Sequence, residues 1–163
     1  LNNLEDFSDN LLYEDFVDME DELLDSIYDV LEKDEEIDKD KLLKLLENSY
    51  APYSNMHFAC IVETKSGNFY EGVNIENASY GGTICAERNA INNAVSHGER
   101  EFKALYLMTS SDEICYPCNI CKQTFLEFFD KDVMFNIMTH DGKMEVMSFE
   151  KLMSTTFTKE DLV

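Results

Sequence analysis

The stretch TICAERNAINNAV, residues 83–95, predicts a helix that brings three chemically interesting side chains to its first turn. Thr83 is a residue type that favours the N-cap position, and small and apolar side chains follow it at helical spacing. Cys85 then lies at the helix start, with Glu87 and Arg88 just after it. These three residues are either part of a functional site or ordinary first-turn residues, and the rest of the chain has to decide between the two.

The segments on either side of this helix predict an α/β fold. Apolar alternation, turn residues and helical spacing divide the chain into elements in the order α-β-β-α-β-α-β-β-α. We expect these elements at residues 41–49 (a helix ended by Pro52), 56–64, 68–75, 83–96 (followed by Gly98), 102–110, 118–129, 133–139, 143–148 and 149–154. This order implies a three-layer α-β-α sandwich with a mixed β-sheet, in which the apolar strand 102–110 is central.

Composition limits the classes of partner. The chain has 163 residues, of which 44% are hydrophobic, and a formal net charge of −21. Such an acidic chain repels phosphate backbones and anionic lipids, so nucleic acid polymers and membranes are excluded as expected partners, whereas a small neutral molecule is not. No apolar run approaches the roughly 20 residues that cross a bilayer, and no signal-peptide pattern is present. We therefore expect a cytoplasmic protein.

The charge is concentrated near the start of the chain. Residues 1–50 hold 18 acidic and 4 basic side chains, and apolar residues recur at three- and four-residue spacing from Leu4 to Leu31. This pattern predicts an acidic amphipathic helical extension over residues 1–38, followed by one domain over residues 39–163. The acidic face is either a solvated surface or a specific partner-binding surface. We expect the extension to pack on the surface of an oligomer.

Three of the five cysteines have a spacing typical of a metal site. Cys118 and Cys121 are three apart at a predicted helix start, so both can face one ion. Cys85 begins another helix, where the partial positive charge favours a thiolate. Three thiolates leave a fourth zinc position open, as in catalytic sites. From spacing alone, a redox pair with a packed Cys85 remains an alternative, and a fourth ligand from Cys115 or a histidine would make the site structural.

The other candidate groups have simpler interpretations. Glu87 does not share the helix face of Cys85, so it is a poor ligand, but beside a metal it could act as a general acid and base. Arg88 could offset the negative charge of three thiolates on zinc. Taken alone, Glu87 is better explained as an ordinary first-turn residue that suits the helix dipole, and Arg88 as a surface residue. We interpret the remaining thiols as structural and the histidines as non-ligating: Cys60, Cys115, His57, His97 and His140.

Three separated motifs carry a family resemblance. The segments APYSN (residues 51–55), GVNIENASYGGTICAERNAI (residues 72–91) and PCNICKQ (residues 117–123) together resemble the cytidine deaminase family of nucleoside-salvage hydrolases, in its three-cysteine form. The resemblance covers about residues 40–163, and it is specific because the motifs occur in order at suitable spacing. The acidic segment before it has no counterpart in compact family members.

The resemblance implies a reaction and a set of roles. The reaction is hydrolytic deamination of cytidine and 2′-deoxycytidine to uridine and 2′-deoxyuridine, with release of ammonia. One Zn²⁺ per subunit activates a water molecule, Glu87 shuttles protons, and Arg88 buffers the thiolate charge. Further matches are the zinc ligands Cys85, Cys118 and Cys121, the ribose-binding pair Asn74 and Glu76, and Tyr80 and Phe157, which line a neighbouring subunit's site in a homotetramer.

The sequence also departs from the family pattern. Met56 stands where a phenylalanine often packs on the pyrimidine ring, and a thioether covers a ring more loosely. Smaller departures are Phe58, Ala59, Asn119 and Lys122. Two alternative functions stay open: a zinc deaminase of another aminopyrimidine nucleoside of the blasticidin type, and a catalytically inactive, zinc-stabilised binding protein.

Overall fold

The computed structural model describes residues 39–153, so the extension predicted for residues 1–38 and the site residue Phe157 lie outside the described residues. Helix α1 covers residues 39–46. The following elements are β1 (Phe58–Thr64), β2 (Phe69–Val73), a 3₁₀ turn (Tyr80–Gly82), α2 (Ala86–Ser96), β3 (Phe102–Thr109), α3 (Asn119–Phe128), β4 (Met134–Thr139), β5 (Met144–Ser148) and α4 (Phe149–Leu152). Among the described residues, no helix has the length and apolar character needed to cross a bilayer.

The five strands form one mixed sheet in the order β2-β1-β3-β4-β5. The β3–β4 pair is parallel, and the other three pairs are antiparallel. All but one of the β3 residues are buried, as its nearly continuous apolar sequence predicts. The predicted mixed sheet and the central position of this strand are therefore confirmed.

Strand β1 shows how the sheet supports two helical layers. Successive side chains of a strand point to opposite faces. Cys60 and Val62 belong to the core shared with α2 and α3, whereas Ala59 and Ile61 belong to a second core that contains Leu42 of α1. Helices therefore cover both faces of the sheet, which confirms the predicted three-layer sandwich.

A glycine lets α2 approach strand β2 at van der Waals distance. A Cβ atom at Gly72 would lie 2.3 Å from the backbone nitrogen of Ala90 and 2.5 Å from the backbone oxygen of Ala86, distances that real Cβ atoms do not show. The Asn89 side chain also donates to the Val73 carbonyl at 2.7 Å. These contacts hold the first turns of α2 against β2, close to where that strand ends.

Helix α2 begins later than the sequence predicts. Cys85, not Thr83, is its N-cap residue. The reason is an isolated β-bridge in which Ile75 and Ile84 exchange two backbone hydrogen bonds of 2.9 and 3.0 Å, so the chain stays extended as far as Ile84. The predicted end of the helix is correct, and Gly98 follows it with a φ of 93°.

Helix α1 ends earlier than predicted, at residue 46 rather than 49. The backbone N–H groups of Asn48 and Ser49 donate to the carbonyls three residues before them, Leu45 and Leu46. Such tightened bonds are typical of a terminating helix. The helix therefore ends through its own last turn, before Pro52 could interrupt it.

Candidate active site

Three thiols meet where α2 and α3 begin. Cys85 and Cys118 are the N-cap residues of the two helices, and Cys121 lies in the first turn of α3. The sulfur of Cys118 is 3.7 Å from that of Cys85 and 3.6 Å from that of Cys121, and all three sulfurs lie within 4.8 Å of one another. The starts of α2 and α3 are therefore next to each other.

The thiol cluster fits a zinc ion. Zinc–sulfur bonds of about 2.3 Å in a tetrahedral arrangement place two sulfurs about 3.8 Å apart, close to the separations found here. Neither N-cap cysteine makes a side-chain capping bond, so its sulfur is not engaged by the helix. The Cys121 thiol and the Arg88 guanidinium lower the pKa of Cys85 to about 5, which favours the ligating thiolate.

Glu87 is buried beside this cluster. Only 4% of the residue is exposed, although it lies in the first turn of α2. Burial, together with the charge of the neighbouring Cys85 thiolate, raises the pKa of Glu87 to about 7. A carboxyl group whose pKa is near the ambient pH can both accept and release a proton.

Arg88 follows Glu87 in the first turn of α2 and lies close to the Cys85 sulfur. Its Nη2 atom donates to the Thr83 carbonyl at 2.8 Å and approaches the Cys85 sulfur at 3.9 Å. The guanidinium can therefore stabilise negative charge on the sulfur without coordinating a metal itself. This position agrees with the charge-buffering role expected from the sequence.

Asn74 and Glu76 follow β2 and are buried, at 6% and 5% exposure. The Oδ1 atom of Asn74 accepts from the Phe58 N–H at 2.8 Å, and its Nδ2 atom donates to the Met56 carbonyl at 2.8 Å. Because both side chains are polar and buried, each of their polar groups needs a hydrogen-bond partner. Asn74 holds the segment that enters β1.

Glu76 holds the preceding loop in a similar way. Its Oε2 atom accepts from the backbone N–H groups of Tyr53 and Ser54, at 2.8 and 3.2 Å. Burial opposes ionisation, but hydrogen bonds from Ser54, Tyr53 and the Tyr80 side chain outweigh it and lower the pKa of Glu76. Glu76 is therefore an ionised acceptor at neutral pH.

Tyr80 belongs to an exposed apolar rim near these residues. Its ring, 60% exposed, meets the edge of the Tyr53 ring at 6.4 Å between centroids. Backbone bridges join neighbouring members of the rim. The rim consists of Tyr50, Tyr53, Ile75, Tyr80 and Ile84.

The structure separates the remaining candidates from the thiol cluster. Cys60 is fully buried in the core, where burial and the Glu87 charge raise the pKa of its thiol. The Cys115 sulfur lies 3.5 Å from the Glu113 carbonyl, and within the described part of the chain neither this thiol nor any histidine joins the cluster. Among these residues, nothing supports the alternative in which Cys115 or a histidine supplies a fourth zinc ligand.

Sequence reasoning missed two residues near Asn74. Ser49 hydrogen-bonds the Asn74 side chain across 25 positions, and His57 hydrogen-bonds Ser49. No local spacing links residues so far apart in the chain. The one available signal was that both flank the APYSN motif, at residues 51–55.

Comparison with known proteins identifies the family. The model of the cytidine and deoxycytidylate deaminase zinc-binding region matches residues 32–137. A cytidine deaminase of Sporosarcina psychrophila is 36% identical over 130 residues, which span 77% of this chain and 96% of that protein. A probable cytidine deaminase of Dictyostelium discoideum is 36% identical over 76% of this chain and 86% of its own length.

The fold points to the same family. The crystal structure of a cytidine deaminase from Burkholderia pseudomallei superimposes with a TM-score of 0.67 and 32% sequence identity, covering 71% of this chain and 93% of the other. The resemblance noted in the three sequence motifs is thereby confirmed. This chain belongs to the cytidine and deoxycytidylate deaminase family.

Proposed function

We propose that this protein catalyses the hydrolytic deamination of cytidine and 2′-deoxycytidine to uridine and 2′-deoxyuridine, with release of ammonia. The observation that supports this most directly is the cluster of three thiols at two helix starts, next to the buried carboxyl group of Glu87. Membership of the deaminase family supports the same reaction.

Cys85, Cys118 and Cys121 would hold one Zn²⁺ per subunit. Bound there, zinc supplies the Lewis acidity that makes water a nucleophile near neutral pH. Three protein ligands leave one tetrahedral position open for chemistry. Arg88 offsets the excess negative charge of the three thiolates, from its position 3.9 Å from the Cys85 sulfur.

Glu87 would move the protons. It takes one proton from the water that attacks C4 of the pyrimidine and delivers it to N3, and it then takes the remaining proton from the new C4 hydroxyl and delivers it to the departing amine. A raised pKa of about 7 suits both steps, because the same carboxyl group must accept and then donate. Burial also keeps bulk water from exchanging these protons.

Asn74 and Glu76 would bind the ribose hydroxyls. An ionised Glu76 accepts a hydrogen bond from a hydroxyl, and Asn74 can donate through its amide nitrogen. If the sugar were absent, these buried groups would lose a partner, so the site would discriminate against the free base.

The protein would work as a homotetramer in the cytoplasm. The apolar rim of Tyr50, Tyr53, Ile75, Tyr80 and Ile84 is a surface of the kind that a second subunit covers. Tyr80 and Phe157 would then line a neighbouring subunit's site. A reducing compartment suits the free thiols. Light scattering coupled to size-exclusion chromatography should give four chains, and a monomer at micromolar concentration would contradict this proposal.

The catalytic proposal is tested by measuring zinc stoichiometry together with an absorbance assay on cytidine and 2′-deoxycytidine. We expect one zinc ion per chain and turnover of both. The Glu87→Gln variant should keep its zinc but lose about 10²–10⁴-fold in turnover. Glu127→Gln, a change of an exposed glutamate on α3, is the matched control and should behave like the wild type.

Other outcomes would favour the alternatives. Turnover of blasticidin S well above that of cytidine would point to the other deaminase. One bound zinc ion without turnover of either compound would point to the inactive binding protein. Near-normal activity of Glu87→Gln would contradict the proton-shuttling role.

A further inference from the structure

A chain of hydrogen bonds leads from His57 through Ser49 to Asn74. The Oγ atom of Ser49 lies 2.5 Å from Oδ1 of Asn74, and the Nδ1 atom of His57 lies 3.1 Å from the same Oγ. Ser49 and His57 are half-buried, and Asn74 is buried. The three side chains come from the segments just after α1, just before β1 and just after β2, so only the fold brings them together.

The direction of each hydrogen bond follows from the chemistry of the groups. The Phe58 N–H can only donate and the Met56 carbonyl can only accept, so they fix the Asn74 amide with Oδ1 towards Phe58 and Nδ2 towards Met56. An amide oxygen only accepts, and Ser49 must therefore donate its proton to it.

The direction of the hydrogen bond between His57 and Ser49 follows in turn. A hydroxyl group has one proton, and Ser49 gives that proton to Asn74, so the Ser49 oxygen accepts from His57. His57 must therefore carry a proton on Nδ1. This holds for one neutral tautomer and for the charged ring, since both have an Nδ1–H group.

The backbone keeps this chain of bonds in register. The Tyr50 N–H donates to the Asn74 carbonyl at 3.0 Å, which holds Ser49 beside Asn74 through its neighbour in sequence. The His57 N–H donates to the Ser110 hydroxyl at 3.1 Å, and the His57 carbonyl accepts from the Ser110 N–H at 2.9 Å. Both ends of this chain of hydrogen bonds are thus attached to the sheet.

The arrangement leaves Asn74 ready to bind a ligand. Its Oδ1 atom accepts two hydrogen bonds, and within the described residues its Nδ2 atom donates one, to Met56. An amide nitrogen has two hydrogens, so the second is available to a sugar hydroxyl. A rotated or flipped amide would present the wrong group to that hydroxyl.

We propose that Ser49 and His57 are positioning residues that fix the Asn74 amide for the sugar hydroxyl, and that they contribute in this way to the preference for hydroxyl-bearing nucleosides. The proposal rests on the sugar-binding role of Asn74 in the proposed function. Neither residue touches the reacting atoms. Their effect belongs to substrate discrimination rather than to the deamination step.

The test compares cytidine with 2′,3′-dideoxycytidine, which has the same base but lacks both hydroxyls. For the wild type, Ser49→Ala and His57→Phe, kcat and KM are measured with each compound. We expect the ratio of the two kcat/KM values to fall about fivefold in Ser49→Ala, mainly through a higher KM for cytidine, as the loss of one hydrogen bond would give. His57→Phe should lower the ratio less, and Ser49→Thr, which keeps the hydroxyl, should restore it.

The control variants change a serine and a histidine that take no part in this chain of hydrogen bonds. Ser96→Ala and His97→Phe remove the same chemical groups from exposed residues at the end of α2, and they should leave the ratio unchanged. Zinc content and circular dichroism show whether each variant is folded. If Ser49→Ala does not fold, His57→Phe decides the question, because that change keeps a ring at position 57 and leaves its backbone bonds in place.

The outcomes separate this inference from the proposed function. An unchanged ratio in folded variants would overturn the inference while leaving the deaminase assignment intact. A wild type that does not distinguish the two compounds would also overturn it. A wild type that deaminates neither compound would instead refute the proposed function.

Discussion

The metal end of the site and its proposed sugar end both join segments that are distant in the chain, since Cys85 and Cys118 are 33 positions apart, but they differ in the elements that carry their side chains. The metal end is Cys85, Glu87, Cys118 and Cys121, grouped in the first turns of two helices. At the sugar end, Asn74 and Glu76 meet partners that are 16 to 25 positions away.

This difference explains what each end needs in order to form. A helix start brings its own residues together once the helix exists. The sugar end depends on β2, the loop after α1 and the start of β1 all being in place. We therefore expect changes at the metal end to abolish function outright, and changes at the sugar end to alter substrate binding by degrees.

The largest effect should come from Cys121→Ala. Loss of one thiolate removes zinc and with it several kcal/mol of transition-state stabilisation, so kcat/KM should fall by about a thousandfold or more. Metal analysis and steady-state kinetics measure both losses. Cys115→Ala, a thiol outside the cluster, is the control and should keep zinc and activity. One zinc ion retained in Cys121→Ala would mean that this cysteine is not a ligand.

The next largest effect should come from a change at the contact between β2 and α2, the elements that lead to the two ends of the site. Gly72→Ala places a methyl group against the backbone of α2 and should lower the free energy of unfolding by about 2–3 kcal/mol, as overpacking does. Because β2 leads to Asn74 and α2 carries Glu87 in its first turn, kcat should fall and KM should rise. Thermal and urea unfolding measure the stability.

The matched control for that variant is Gly81→Ala. No atom lies within 4 Å of a Cβ built at this glycine, so the change should be tolerated. Equal stability of the two variants would show that the approach of α2 to β2 is not the constraint described above.

A smaller effect is expected for Glu76→Gln. The neutral side chain loses an ionised acceptor, and hydrogen bonds to charged groups predict a rise in KM for cytidine of about 10- to 100-fold, with zinc retained. Glu71→Gln, on the exposed side of β2, is the control. A drop in kcat alone would argue against a sugar-binding role.

The lowered pKa of Glu76 adds a pH dependence to that prediction. A carboxyl group with a lowered pKa stays ionised until the pH falls below its ordinary range. The KM of the wild type for cytidine should therefore stay level through mildly acidic pH and rise only at stronger acidity. In Glu76→Gln this rise should be absent.

The smallest effect should come from Met56→Phe. An aromatic ring at the position where the family pattern places one on the pyrimidine should lower the KM for cytidine by about two- to fivefold, within the range of aromatic pair energies. Met144→Phe, an exposed position on β5, should leave KM unchanged. An increase in KM would mean that the pocket is shaped around methionine.

The sequence predicted the two helix starts that carry the cysteines because those signals are local, but it left open whether Cys85 joins the Cys118–Cys121 pair. The spacing of Cys118 and Cys121 and the two helix starts follow from residues only a few positions apart. The error at Thr83 has a non-local cause. The bridge between Ile75 and Ile84 extends the chain, and local capping preference cannot reveal such a bridge.

The sugar end was predicted from family resemblance alone. Read as isolated residues, Asn74 and Glu76 look like ordinary residues at a strand end and a turn. Ser49 and His57 had no signal beyond their positions on either side of the APYSN motif, because the hydrogen bond from Ser49 to Asn74 depends on how α1 and β2 meet. The layers and the central position of β3, by contrast, followed from apolar patterns that each segment carries by itself.

Helices α2 and α3 both begin with a cysteine that makes no capping hydrogen bond. Each helix thereby forgoes the stabilisation of about 1 kcal/mol that a serine or aspartate cap usually provides. An ion that binds only the folded chain restores stability through thermodynamic linkage, and it does so at both helix ends at once. Zinc would thus act as a folding ligand as well as a cofactor, so the cellular supply of zinc would set how much of this protein is folded.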